Sequence, residues 1–206
     1  MSVHLPKSNL FKPTKVGNVT LKHRIIYAPA GKFRCADDYK PTDSMLEYYL
    51  KIAENNGGLL TSEAATPSLE AGLLPHAPMI KTQNRGSFIS CQIFAPGRVA
   101  DPTVQKSLNK PFFFAPSALY VNEATKPAAK NSGYPLKEMA KEGIQFTTND
   151  SVKGARSCID AGFDFAEFHA AHMYFMEQFF NTTSNTRTNK CGGSIEKQGK
   201  ICLENY

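Results

Sequence analysis

Apolar positions fall into short runs cut by turn residues, with longer helical stretches set between them. The chain opens with LFKPTKVGNVTLK (10–22), where Gly17-Asn18 interrupts the apolar positions and predicts a small hairpin. Four strand-length runs follow: 24–28 (RIIYA, stopped by Pro29), 58–62 (GLLTS, followed by Glu63), 87–94 (SFISCQIF, stopped by Pro96-Gly97) and 163–169 (FDFAEFH). Between the first two lies a helical pattern over 42–55, with Thr42 as N-cap and Gly57 near its end. A second helix is predicted over 148–161, closed by Gly162.

Strand, helix and strand at this spacing predict βαβ units and a parallel sheet, hence an α/β fold. Residues 101–134, rich in proline, lysine and asparagine, read as an excursion loop within one domain spanning 1–206. The segment PHAPMIKTQNRG (75–86) has no helical period, so the crossover between the second and third strands is expected to be minimal and to lack a helix.

Composition narrows the function. A chain of 206 residues with 41% hydrophobic and 20% charged residues suits a single globular core. Its net charge of +6 comes from scattered lysines and arginines with no aromatic-interleaved basic run, so no nucleic-acid partner is expected. The first fifteen residues lack an apolar signal core, and no apolar run reaches membrane-spanning length, so neither secretion nor a membrane is expected. Five cysteines without a CxxC pair fit a reducing, cytoplasmic setting, in which the acceptor-like Asn181-Thr182-Thr183 is idle.

In parallel α/β architectures ligands sit beyond the C-terminal ends of strands. Those ends carry Ala28-Pro29-Ala30-Gly31-Lys32, then Glu63-Ala64-Ala65, then Gln92 and Phe94, and finally His169-Ala170-Ala171-His172-Met173-Tyr174. Small residues let a flat aromatic ring approach the backbone, and an amide can bond its polar edge. His169 and His172 alone supply two ligands and no third, so no metal is expected.

These residues also carry a resemblance. The stretches LFKPTKVGNVTLKHRIIYAPAGKFR, LEYY, GGLLTSEA, SFISCQIFAPGRVADP, AGFDFAEFHAAHMYFMEQFF and SNTRTNKCGGSIE, in order from Leu10 to Glu196, resemble the first half of an old yellow enzyme, an FMN-dependent ene-reductase. The resemblance implies an incomplete TIM-barrel-like fold, with about strands one to four of a (β/α)₈ barrel behind an N-terminal hairpin. It implies FMN as cofactor, NAD(P)H as reductant and a small-molecule substrate with a conjugated carbonyl or similar group. By position, His169 and His172 would hold the substrate oxygen and Tyr174 would donate the proton, with Phe94 near the substrate. Ala28, Pro29, Ala30, Gly31, Ala64 and Gln92 would bind the flavin.

The chain also departs from the family pattern. Gly31 stands where the family has threonine or cysteine, Lys32 where it has arginine, and Met173 where it has glycine. The family's flavin-phosphate site and a ribityl-binding arginine belong to the second half of the barrel, so FMN binding by these residues alone is expected to be weakened. A homodimer could complete the barrel. The second reading of the same pocket is a flavin-independent isomerase or cyclase, or a ligand-binding remnant, reusing His169, His172 and Tyr174.

Overall fold

The computed structural model describes residues 8–54, 57–68, 74–77, 87–108 and 113–203, without the side chains of 200–203. In chain order the elements are β1 (Thr14–Val16), β2 (Val19–Leu21), β3 (Ile26–Tyr27), α1 (Asp43–Ala53), β4 (Leu59–Thr61) and β5 (Phe88–Ile93). They continue with α2 (Pro102–Ser107), β6 (Phe114–Ala115), α3 (Thr125–Ser132), β7 (Lys137–Glu138), α4 (Lys141–Asp160), β8 (Phe165–Phe168), α5 (Phe175–Phe180) and α6 (Ile195–Leu203).

The hairpin forms as expected. Val16 pairs with Val19, leaving Gly17-Asn18 as a two-residue turn. Gly17 has φ 54°, the conformation that the first central position of such a turn demands. A Cβ at this position would meet the Phe165 ring at 3.4 Å, so the hairpin turn lies beside the start of β8.

The four predicted runs form one parallel sheet in the order β3-β4-β5-β8. Tyr27 is level with Leu60, Leu60 with Ile89, and Gln92 with Glu167. Side chains alternate across a strand, so the sheet has two distinct faces. One carries Leu60, Ile89, Cys91, Ile93, Ala166 and Phe168, which pack with Ala53, Cys158 and Phe163 into an apolar cluster backed by α1 and α4. The other carries Thr61, Ser90, Gln92 and Glu167. Among the described residues the sheet does not close into a barrel, in line with the incomplete barrel expected.

Three expectations about the elements need correction. The helix predicted over 148–161 begins seven residues earlier, at Lys141. Its buried face is Ile144, Thr147, Thr148, Ser151, Gly154 and Cys158, a helical period carried mainly by small and hydroxylated side chains. Burial there is tolerable because Thr148 donates to the Ile144 carbonyl (3.0 Å) and Ser151 to that of Thr147 (2.9 Å).

Residues 101–134 are not a loop but contain α2, β6 and α3. Asp101 caps α2 by accepting the Thr103 and Val104 N–H groups, with Pro102 at the first helical position. Gly133, at φ 77°, ends α3. These elements enclose their own cluster of Ala100, Phe113, Ala115, Ala129 and Leu136. Thr42 does precede α1, but its hydroxyl donates to the Arg34 carbonyl and makes no capping bond. The crossover segment 75–86 lies for the most part outside the described residues.

Candidate active site

The strand ends that should meet at one rim are tied together by their backbones. Beyond β4, Ala65 donates to the Gln92 carbonyl (2.8 Å) and accepts from Phe94 (3.0 Å). Beyond β8, His169 donates to the Ile93 carbonyl and Phe175 to the Ala95 carbonyl, both at 2.8 Å. The loop between these two anchors is 170–174, so its two ends are pinned to β5.

Within that loop the aromatic groups converge. The His169 ring centroid is 5.0 Å from that of His172 and 4.9 Å from that of Tyr174, and the Phe94 ring lies edge-on to Tyr174 at 4.8 Å. Phe94 is buried, His169 and Tyr174 are half-buried, and His172 is exposed. Ala171 N–H donates to His169 Nδ1 (3.2 Å), so the proton of a neutral His169 sits on Nε2. That nitrogen is 3.1 Å from His172 Nδ1, which must then accept, leaving the His172 proton on its own Nε2. The two imidazoles are thus bonded to each other, and only His172 presents a free N–H. Burial and the neighbouring His172 hold the His169 pKa below the ordinary histidine range, which favours its neutral form.

The loop is also strained. His172 and Met173 have φ of 57° and 60°, left-handed values that cost side-chain-bearing residues on the order of 1–3 kcal/mol each. The glycine that the resemblance expects at 173 would adopt that conformation freely.

The expected flavin bed is more dispersed. Ala28, Pro29, Ala30 and Gly31 form an exposed, irregular segment beyond β3, and Ala64 is half-buried beyond β4. The Phe33 ring lies directly over Gly31, where a Cβ would meet it at 3.1 Å. Gln92 is 6% exposed, and its Nε2 donates to Glu167 at 2.5 Å. That bond fixes the amide so that its carbonyl oxygen is the group left to accept from an incoming N–H. Small residues at two strand ends and an oriented amide acceptor suit the polar edge of an isoalloxazine ring.

Several supporting roles were not foreseen from the sequence. Glu63 is 2% exposed, accepts the Lys32 N–H (2.8 Å) and the Tyr49 hydroxyl (3.3 Å), and so joins the β3 and β4 exits. Burial pushes the Tyr49 phenol up, and burial with the Tyr48 contact pushes Tyr27 up to about 12. Glu167 and Gln178 act on the site in the same indirect way. No local pattern marks such residues, because their partners lie far along the chain. Lys32 sits with its ammonium 5.1 Å from the Tyr48 ring centre. Among the described residues, no group of three or more histidine, cysteine or acidic side chains could hold a metal, and no helix is long and apolar enough to cross a membrane.

Parallel strands whose C-terminal ends share one polar rim define the mouth side of a TIM-barrel-like α/β protein. The chain belongs to the NADH:flavin oxidoreductase / NADH oxidase family, whose model matches residues 9–205. A probable NADPH dehydrogenase of Candida albicans is 36% identical over 215 residues, taking in 97% of this chain and 53% of that protein. Enoate reductase 1 of Kluyveromyces lactis is 31% identical over 218 residues, covering 97% of this chain and 54% of its own. The old yellow enzyme from Pichia sp. AKU4542 superimposes with a TM-score of 0.93 at 44% identity, covering 98% of this chain and 56% of that one. Morphinone reductase gives a TM-score of 0.77 at 29% identity, covering 96% and 57%.

The chain therefore spans about half the length of the relatives it matches. These neighbours bear out the old yellow enzyme resemblance and the partial TIM-barrel fold, with FMN and NAD(P)H as the cofactors the family implies. They give no support to a flavin-independent isomerase or cyclase.

Proposed function

We propose that this rim forms part of an FMN-dependent, NAD(P)H-using ene-reductase site for small conjugated carbonyl compounds. The observation that carries the reading is the joined His169–His172–Tyr174 cluster, set beside Phe94 and one strand away from the oriented amide of Gln92.

FMN, when bound, supplies the hydride. Gln92 accepts an N–H from the flavin's polar edge, and Ala28, Pro29, Ala30, Gly31 and Ala64 keep the backbone within reach of the ring. His172 Nε2–H donates to the substrate oxygen, and His169 Nε2–H joins it on giving up its bond to His172. Two neutral donors stabilise the negative charge that develops on that oxygen as the β-carbon is reduced. Tyr174, half-buried and wedged between His169 and Phe94, gives its proton to the α-carbon as general acid.

Residues 1–206 act as one domain in the cytoplasm in this reading. A second copy pairing along β3 or β8, the edge strands of this sheet among the described residues, forms a homodimer. The test is direct. Purified protein titrated with FMN should shift the flavin absorbance bands and then oxidise NAD(P)H in the presence of cyclohex-2-enone. Protein that leaves the flavin spectrum unchanged at every concentration removes the redox reading.

A further inference from the structure

The loop that carries His172 and Tyr174 contains a residue, Met173, whose backbone N–H and C=O are both taken by side chains from the following helix. Met173 N–H donates to Glu177 Oε2, and the Met173 carbonyl accepts from Gln178 Nε2 at 2.6 Å. The same Gln178 nitrogen donates to the Pro96 carbonyl (2.9 Å), and its Oε1 accepts the Arg98 N–H (3.2 Å). Its backbone carbonyl accepts from Ser184 (2.9 Å). Gln178 is 1% exposed, and Gly97, at φ 58°, passes so close that a Cβ there would run into the amide.

We propose that Glu177 and Gln178 are positioning residues that clamp the Met173 backbone on both sides and so set where His172 and Tyr174 stand relative to β5. Met173 needs such a hold. It is left-handed, its side chain is 45% exposed, and it therefore gains little from packing that would fix its backbone. Gln178 takes the Met173 carbonyl and the carbonyl and N–H groups of the β5 exit at once, tying the histidine loop to the strand that carries Gln92 and Phe94. Glu177 accepts the N–H of the same residue, so the peptide units on both sides of Met173 are held. The arrangement assigns both residues a role in pocket geometry without contact to any substrate.

The inference rests on the reading of His172 and Tyr174 as substrate-facing groups, but its test requires neither FMN nor substrate. Long-range ¹H–¹⁵N spectra of the histidine rings, recorded where both are neutral, report whether His169 donates to His172. The wild type should show His172 with Nδ1 as acceptor and one fixed tautomer. Glu177→Ala and Gln178→Glu should each release His172 to averaged tautomers while the melting transition stays cooperative. Glu177→Gln, which keeps an acceptor for the Met173 N–H, should restore the wild-type ring signals.

In FMN-loaded protein, Glu177→Ala should lower kcat for cyclohex-2-enone by about tenfold to a hundredfold, with FMN affinity within about twofold. Ring signals unchanged in both clamp variants would overturn the proposal. So would ring changes that appear only together with loss of the cooperative transition, since that is a folding role. A flavin titration that fails while the ring signals respond overturns the reductase reading and leaves the clamp standing.

Discussion

On the helix-backed face of the sheet, Leu60, Ile89, Cys91 and Ile93 are at most 7% exposed and join one apolar cluster. One residue away in the same strands, Thr61, Ser90 and Gln92 are no more than 6% exposed, yet they are polar. Equal burial therefore has two meanings here. The apolar face stabilises in proportion to the area it removes from water. The polar face must find a partner for each group or lose stability, and Gln92 finds it in Glu167. Stability and chemistry are separated by one step of the strand repeat.

That contrast can be broken most forcefully from the apolar side. Ile93→Ala empties a fully buried position and should cost about 2–5 kcal/mol, read as a large drop in the urea midpoint. On the reactive side, Tyr174→Phe should leave the melting temperature nearly unchanged while ene-reduction falls by about a hundredfold or more. A comparable loss of stability in that variant would mean that Tyr174 is a core residue. Gln92→Ala should weaken FMN binding by about tenfold through one lost hydrogen bond, measured by flavin fluorescence.

A smaller effect concerns acid. The folded His169 resists protonation, whereas the unfolded chain accepts a proton near the ordinary value of 6.5. The unfolded state then binds more protons, so stability should fall as pH drops through 6.5 towards the depressed folded value. It should be fully present above that window. His169→Asn should flatten this part of the pH profile of stability. The smallest change expected is in Met173→Gly, which relieves a left-handed side chain and should shift stability by about 1 kcal/mol or less, in the favourable direction.

What could be read from the sequence followed what is local. The Gly17 turn, the four strand runs and the cluster of rim residues all announce themselves within a few positions. The first two turns of α4 did not, because Ile144 is the one apolar residue of their buried face beside Thr147 and Thr148, and a hydroxyl paired to the preceding turn looks polar in a sequence. α2 was concealed by its shortness, although Asp101-Pro102 is a helix-start signal. The clamp was invisible for a different reason. Gln178 bonds to Pro96 across 82 positions, and a glutamine in a helix gives no hint of such a partner. The bond between the two histidine rings was equally out of reach, a detail that only tautomers and distances reveal.

The register of β8 against β5 has a consequence for how the chain finds its fold. The two strands meet across 75 positions of sequence, so their pairing carries a large loop-closure cost and must be selected against other registers. A slip by a single residue would exchange the faces, sending Phe168 towards water and the Glu167 carboxylate into the cluster around Ile93. A misaligned pairing would therefore carry its own energetic penalty. The alternation that separates stability from chemistry in the finished molecule thus also disfavours the neighbouring register.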